Sequence, residues 1–219
     1  MNKIIQFGED VEGYAIPVLN EREIRASAGM LFLLMFISIL TVILANNFLL
    51  LKYTVMIFMT DMTIRVLVNP KYAPFLILGR YIVRNQVPEY VGAPQKKFAW
   101  KIGFVLSVTI FILQNVVNSF GPITALICLI CLVFLFFETA FGICLACKIY
   151  ARFYKKEVQY CPGEVCEVKD RQEIQKTSRA QWLVVLGFLV YILLIYILLY
   201  STFNKHPESL WDIITRFIS

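Results

Sequence analysis

Five runs of mostly apolar residues govern what this chain can fold into: 28–46, 48–68, 99–119, 122–149 and 181–203. About twenty such residues in a helix cross the hydrocarbon core of a bilayer. Within lipid every backbone N–H and C=O must find its partner inside the structure, which favours helices over open strands. The composition agrees: 59% of the residues are hydrophobic and 16% are charged. Soluble domains run at roughly 45–50% apolar and about 25% charged, so lipid must cover much of the apolar surface here. The expected fold is an all-α, polytopic membrane bundle of five transmembrane helices. Asn46-Asn47 separates the first two runs and predicts a tight helical hairpin, and Asn118-Ser119-Phe120-Gly121-Pro122 punctuates the third and fourth.

Two shorter segments read as interfacial helices. Residues 74–84 are too short to span and carry Arg80 and Arg84. In 208–219, Leu210, Ile213, Ile214 and Phe217 share one face, opposite Asp212 and Arg216, with Trp211 expected at headgroup level.

The net charge is +6. The basic residues flank apolar runs, a pattern of membrane topology and anionic-lipid contact, so no nucleic-acid partner is expected. Of the 21 Lys and Arg residues, 17 fall in the N-terminal segment, the second-to-third connection and the fourth-to-fifth connection. Lys52, Lys205 and Arg216 fall on the opposite side, and Arg65 lies within a span. The positive-inside rule therefore places the N-terminus in the cytoplasm and the C-terminus outside.

Six cysteines stand in three close pairs: Cys128–Cys131, Cys144–Cys147 and Cys161–Cys166. Two thiols three residues apart can share a disulfide or a metal. With the fourth run read as one helix, Cys144 and Cys147 fall near its C-terminal end, where the helix dipole opposes a thiolate and the nearby Lys148, Arg152, Lys155 and Lys156 offset it. Cys161 and Cys166 follow in a basic loop, closed by Pro162-Gly163. Three readings stay open for Cys144 and Cys147: a redox-active (catalytic) pair, a share of a four-thiolate zinc or iron–sulfur site with Cys161 and Cys166, and plain packing. Cys128 and Cys131 read as packing residues. Along one helix Cys131 and Cys144 stand about 20 Å apart, which excludes direct exchange between them. The one histidine, His206, excludes a paired-His metal site or a Ser-His-Asp triad in the apolar body.

Asp61 and Arg65, four apart on the second run, share a face, and Glu138 lies on the fourth. Ionisable groups in a membrane are costly and are kept when paired or functional. These three are expected to meet between helices as a polar clamp, a proton relay or a headgroup site.

Several strings carry a resemblance: Phe141-Gly142-Ile143-Cys144-Leu145-Ala146-Cys147-Lys148-Ile149-Tyr150, Asn20-Glu21-Arg22-Glu23-Ile24-Arg25, Asp61-Met62-Thr63-Ile64-Arg65 with Asn69-Pro70-Lys71-Tyr72-Ala73-Pro74, and Lys97-Phe98-Ala99-Trp100-Lys101-Ile102-Gly103. Together they resemble a bacterial family of small membrane proteins of unknown function with a closing FGxCxxCxxY signature. The resemblance implies a four-helix unit in the bacterial cytoplasmic membrane and a lean toward thiol or sulfur redox chemistry. The domain reading follows: 1–150 as the four-span unit, 151–180 as a cytoplasmic Cys-containing basic loop, and 181–219 as a fifth span with an amphipathic tail. The leading expectation for function is a thiol/sulfur redox protein with membrane lipid and a thiol-redox partner as contacts. The alternatives are a non-enzymatic subunit of a larger membrane complex with a four-cysteine metal clip, and a small transporter.

Overall fold

A computed structural model of the chain describes residues 7–11, 14, 16–147 and 176–218. Helix α1 (Glu21–Ala45) starts well before its apolar run because Asn20 caps it. The Asn20 side-chain oxygen accepts the Arg22 N–H at 3.2 Å, and its amide donates to Glu23 at 3.1 Å. Glu21 and Glu23 in the first turn complement the helix dipole. The helix ends at Asn46, whose φ of 50° is left-handed, and Asn47 accepts the N–H of Leu49 at 2.9 Å as the chain reverses.

Helix α2 (Leu49–Thr63) continues into a π-helical turn (Ile64–Val68). A short 3-10 turn (Pro70–Tyr72) leads to α3 (Pro74–Val83), which begins with Pro at a position where no N–H is needed. Two three-residue strands, β1 (Val18–Asn20) and β2 (Tyr90–Gly92), pair antiparallel with Val18 opposite Gly92 and Asn20 opposite Tyr90. This pair joins the chain entering α1 to the chain entering α4 (Ala93–Phe111), which ends in a second π-turn (Ile112–Val116). Helix α5 (Pro122–Phe136) ends in a third (Phe137–Phe141). After residues 142–147 the described chain resumes at 176 and enters α6 (Arg179–Phe203), opened by a Ser178–Gln181 capping box. The amphipathic α7 (Leu210–Ile218) closes it.

Four of these helices are long and apolar enough to cross a membrane: Glu21–Ala45, Ala93–Val116, Pro122–Phe141 and Arg179–Phe203. The continuous helix over 49–68 is of similar length but carries Lys52, Asp61 and Arg65, all buried. Helices α1, α2, α4 and α5 enclose two apolar clusters. One contains Met35, Leu51, Val55, Ile110, Cys128 and Cys131; the other contains Ala28, Leu31, Phe58, Met62 and Leu135. Beside the first cluster, Ser38 and Thr54 share a 2.6 Å hydrogen bond from α1 to α2. Helix α6 lies outside this group, against α2 and α3, and only 11% of its apolar stretch is buried, against 22% in the other three.

Helix α3, expected at the interface, is drawn into the bundle on one side. Leu76, Ile77, Gly79 and Arg80 are buried, while Tyr81 and Ile82 remain exposed. Its closeness to α1 is set by Gly79: a Cβ there would stand 2.6 Å from the Glu23 carbonyl oxygen. At the end of the bundle away from the β pair, the buried Lys52 ammonium donates to Asn118 at 2.7 Å, to the Phe203 carbonyl at 3.1 Å and to the Lys205 carbonyl at 2.6 Å. A cation there satisfies the last carbonyls of α6 and complements that helix's dipole.

Candidate functional site

The β pair puts Glu21 and Lys96 opposite each other at the starts of α1 and α4. The Lys96 ammonium is fully buried and contacts both carboxylate oxygens of Glu21, at 3.0 and 2.8 Å. It also pairs with Glu138 on the third π-turn. One cation thus stands between two carboxylates from three elements. Asp61 and Arg65 form a separate pair: the Arg65 Nε and one terminal nitrogen each lie 2.6 Å from Asp61 Oδ2. The other Asp61 oxygen accepts the Phe75 N–H at 3.1 Å, and Arg65 donates to the Ser27 hydroxyl at 3.2 Å and lies 5.3 Å from the Trp100 ring centre. A third pair joins Arg80 to Glu23 at 3.1 Å, with Glu9 at 3.6 Å. Asp61 and Arg65 are therefore partners, whereas the ion partner of Glu138 is Lys96. Arg65 and Glu138 meet only as walls of one cavity.

That cavity, of about 70 Å³, is lined mainly by apolar side chains. Its wall also carries Arg65, Cys131, Glu138 and Cys144. Cys144 reaches it because the fourth helix does not run on to residue 149. The helix ends at Phe141, and Gly142 turns the chain with φ 66°. A side chain at 142 would meet the Arg25 guanidinium at 3.2 Å, so both the backbone angle and the space call for glycine. A new helical turn begins at residue 145. The cysteine pair thus sits on a separate turn past the Gly142 break, and not on the long helix whose C-terminal dipole would oppose a thiolate. Cys144, which a single straight helix would turn away from the face of Cys131 and Glu138, comes to the space that they line.

Cys144 and Cys147 are joined by a disulfide, with Cα atoms 5.2 Å apart. Both are buried, packed with Ala146 against Ala99 and Ile102 of α4. The Cys147 N–H lies 3.3 Å from Cys144 Sγ and donates to it, while also bonding the Cys144 carbonyl at 3.1 Å. Cys128 and Cys131 are free thiols buried in the apolar cluster. Cys161 and Cys166 lie outside the described residues. Among the described residues no group of three or more His, Cys, Asp or Glu side chains is placed to hold a metal ion.

Sequence reasoning did not single out Lys96, Glu21, Glu23 or Arg80 as site residues. Each sits at a helix start or on a short segment beside an apolar run, where charge is ordinarily solvated. Long-range packing takes them inside: the β strands bring Lys96 to Glu21, and the contact of α3 with α1 brings Arg80 to Glu23.

A family model described as Domain of unknown function (DUF4395) matches residues 19–155. The chain belongs to this family. No curated protein and no solved structure matches it. The matched stretch begins at the β1–α1 cap, takes in α1 to α5 and the Cys144–Cys147 pair, and leaves out α6 and α7. As a whole the chain is a mostly helical membrane protein, built on a family domain without an assigned activity, with apolar helix faces suited to lipid.

Proposed function

We propose that this chain is a thiol–disulfide exchange protein of the bacterial cytoplasmic membrane, with Cys144 and Cys147 as its working pair. The observation that carries the reading is the bonded pair itself, held past the Gly142 turn with Cys144 on the wall of a cavity. A cytosolic structural disulfide is uncommon, so a bonded pair at the cytoplasmic side of a membrane favours a transient, working bond. The N–H donated by Cys147 to Cys144 Sγ stabilises negative charge on that sulfur when the bond opens.

The chemistry is a two-electron exchange. A partner dithiol attacks the Cys144–Cys147 bond through a mixed disulfide, leaves as a disulfide, and hands two electrons and two protons to the pair. The second pair, Cys161–Cys166, follows fourteen residues after Cys147 and belongs on the same side, where it exchanges with the first. In this reading 49–68 is the remaining span, its three charges tolerated because each is buried with partners, and five spans put the N-terminus in the cytoplasm and the C-terminus in the periplasm.

Thiol trapping in intact cells tests the proposal. Acid quenching followed by alkylation is expected to show Cys144–Cys147 shifting between oxidised and reduced forms with the growth redox condition. Cys147→Ser is expected to trap a mixed disulfide through Cys144. A pair that stays in one state throughout removes the redox role. A stoichiometric zinc or iron on the purified protein, lost on Cys161→Ala, replaces it with the metal clip.

A further inference from the structure

Glu138 and Cys144 occupy the wall of the same cavity, and no other carboxylate among the described residues does. Around Glu138 the facing charges are few. Lys96 reaches it from α4, Glu21 shares that lysine from α1, and Arg65 faces the cavity from the π-turn after α2, already tied to Asp61. Arg25, on α1, acts on Glu21 from outside the trio and lies 4.0 Å from Glu89, which also pairs with Arg22. Lys96, Glu21 and Glu138 therefore hold one more carboxylate than cation in a place shielded from water. Taking up one proton makes the trio neutral, the favourable state for a buried cluster. A water needs roughly 10–15 Å³ of such space, so the cavity of about 70 Å³ that Glu138 and Cys144 both line is large enough to hold one.

From this shared cavity we infer that Glu138, held in place by Lys96 and Glu21, accepts the proton that Cys144 releases when the reduced pair reacts, and passes it on to water. The inference rests on the redox reading above and adds the route of the proton. With a small disulfide RS–SR as oxidant, the Cys144 thiol passes its proton to Glu138. The thiolate then attacks one sulfur of RS–SR, the S–S bond of the oxidant breaks, and RS⁻ leaves and is protonated by solvent. Cys147 next attacks the Cys144 sulfur of the mixed disulfide, loses its proton and expels the second RS⁻. The pair has then lost two electrons, the oxidant has become two RSH, and the proton on Glu138 returns to water.

The test uses the full-length chain in lipid nanodiscs, with Cys128, Cys131, Cys161 and Cys166 replaced by Ala so that only the working pair reports. The reduced protein is mixed with dithiodipyridine, and thiopyridone release is followed across pH. Glu138→Gln is expected to slow the reaction about a hundredfold near neutral pH, the lower range for a positioned general base, and to flatten the pH profile. Glu138→Asp should recover most of the rate. Glu21→Gln removes the surplus charge without touching Glu138, keeps the fold testable if Glu138→Gln is unstable, and is expected to flatten the profile as well. Wild-type rates and profiles in folded Glu138→Gln or Glu21→Gln overturn the inference and leave the redox reading standing. A wild-type pair that is inert to dithiodipyridine at every pH overturns both.

Discussion

Asp61 and Arg65 illustrate how a charge is kept inside this bundle. Each carboxylate oxygen of Asp61 has a donor, and Arg65 has in addition the Ser27 hydroxyl and the Trp100 face. Removing one partner strands the other in a low-dielectric site, at a cost of about 3–5 kcal/mol, whereas removing both strands neither charge. Asp61→Asn and Arg65→Gln are therefore each expected to lower the unfolding midpoint in detergent markedly. The double variant should lose much less than the two losses added. Additive losses would show that the two side chains act independently. Cys128 and Cys131 give the contrast: both are buried in an apolar cluster as small core residues, Cys131 at the edge of the cavity.

At the scale of the element, three helices end in a five-residue π-turn, and each turn carries at least one inward polar side chain: Arg65, Gln114 with Asn115, and Glu138. A π-turn offsets the backbone by one residue and re-aims the side chains it contains, so a polar residue can face inward at the end of an otherwise apolar stripe. Helix α3 depends on a different local device. Gly79 lets its backbone meet α1 where a methyl would strike the Glu23 carbonyl and force the two helices apart. The Arg80–Glu23 ion pair sits beside that contact. Gly79→Ala is expected to destabilise the fold by about 1–3 kcal/mol, as overpacking does, and to loosen the Arg80–Glu23 contact. Thermal unfolding of the variant, set against Gly187→Ala where nothing lies within 4 Å of the added methyl, measures this. Equal effects at the two glycines would refute the close-packing account.

For the whole molecule, the family domain forms the closely packed unit and α6 is added to its outside, meeting α2 and α3 and anchored at its far end by Lys52. This anchor places the end of α6 at the opposite end of the bundle from the Lys96 trio. Among the described residues, Arg22 and Arg25 of α1 and Lys97 of α4 stand at the trio's end. An impermeant maleimide applied to intact cells is therefore expected to leave Cys161 and Cys166 unlabelled, and to label them once the inner membrane is opened. A cysteine introduced at Ser209 should label in intact cells. The reverse pattern would turn the protein over in the membrane and move the cysteine chemistry to the oxidising side.

Length and apolarity of the runs determine helices of membrane-crossing size, because hydrocarbon leaves the backbone no other partner than itself. The Asn46-Asn47 hairpin, the break before Pro122 and the Asp61–Arg65 pairing were equally legible, since turn chemistry and i,i+4 spacing are local. Two things were not. The burial of Glu21 and Lys96 depends on strands β1 and β2, which are far apart in the chain and meet only in three dimensions, Val18 against Gly92. The stop at Gly142 is hidden within an apolar run, where glycine is common in membrane helices and signals nothing by itself. Only the folded chain shows the turn there, and with it Cys144 returned to the cavity that Glu138 and Cys131 share. Local pattern fixes which segments are helices; long-range pairing decides which charges and sulfurs meet, because that depends on neighbours no window of sequence contains.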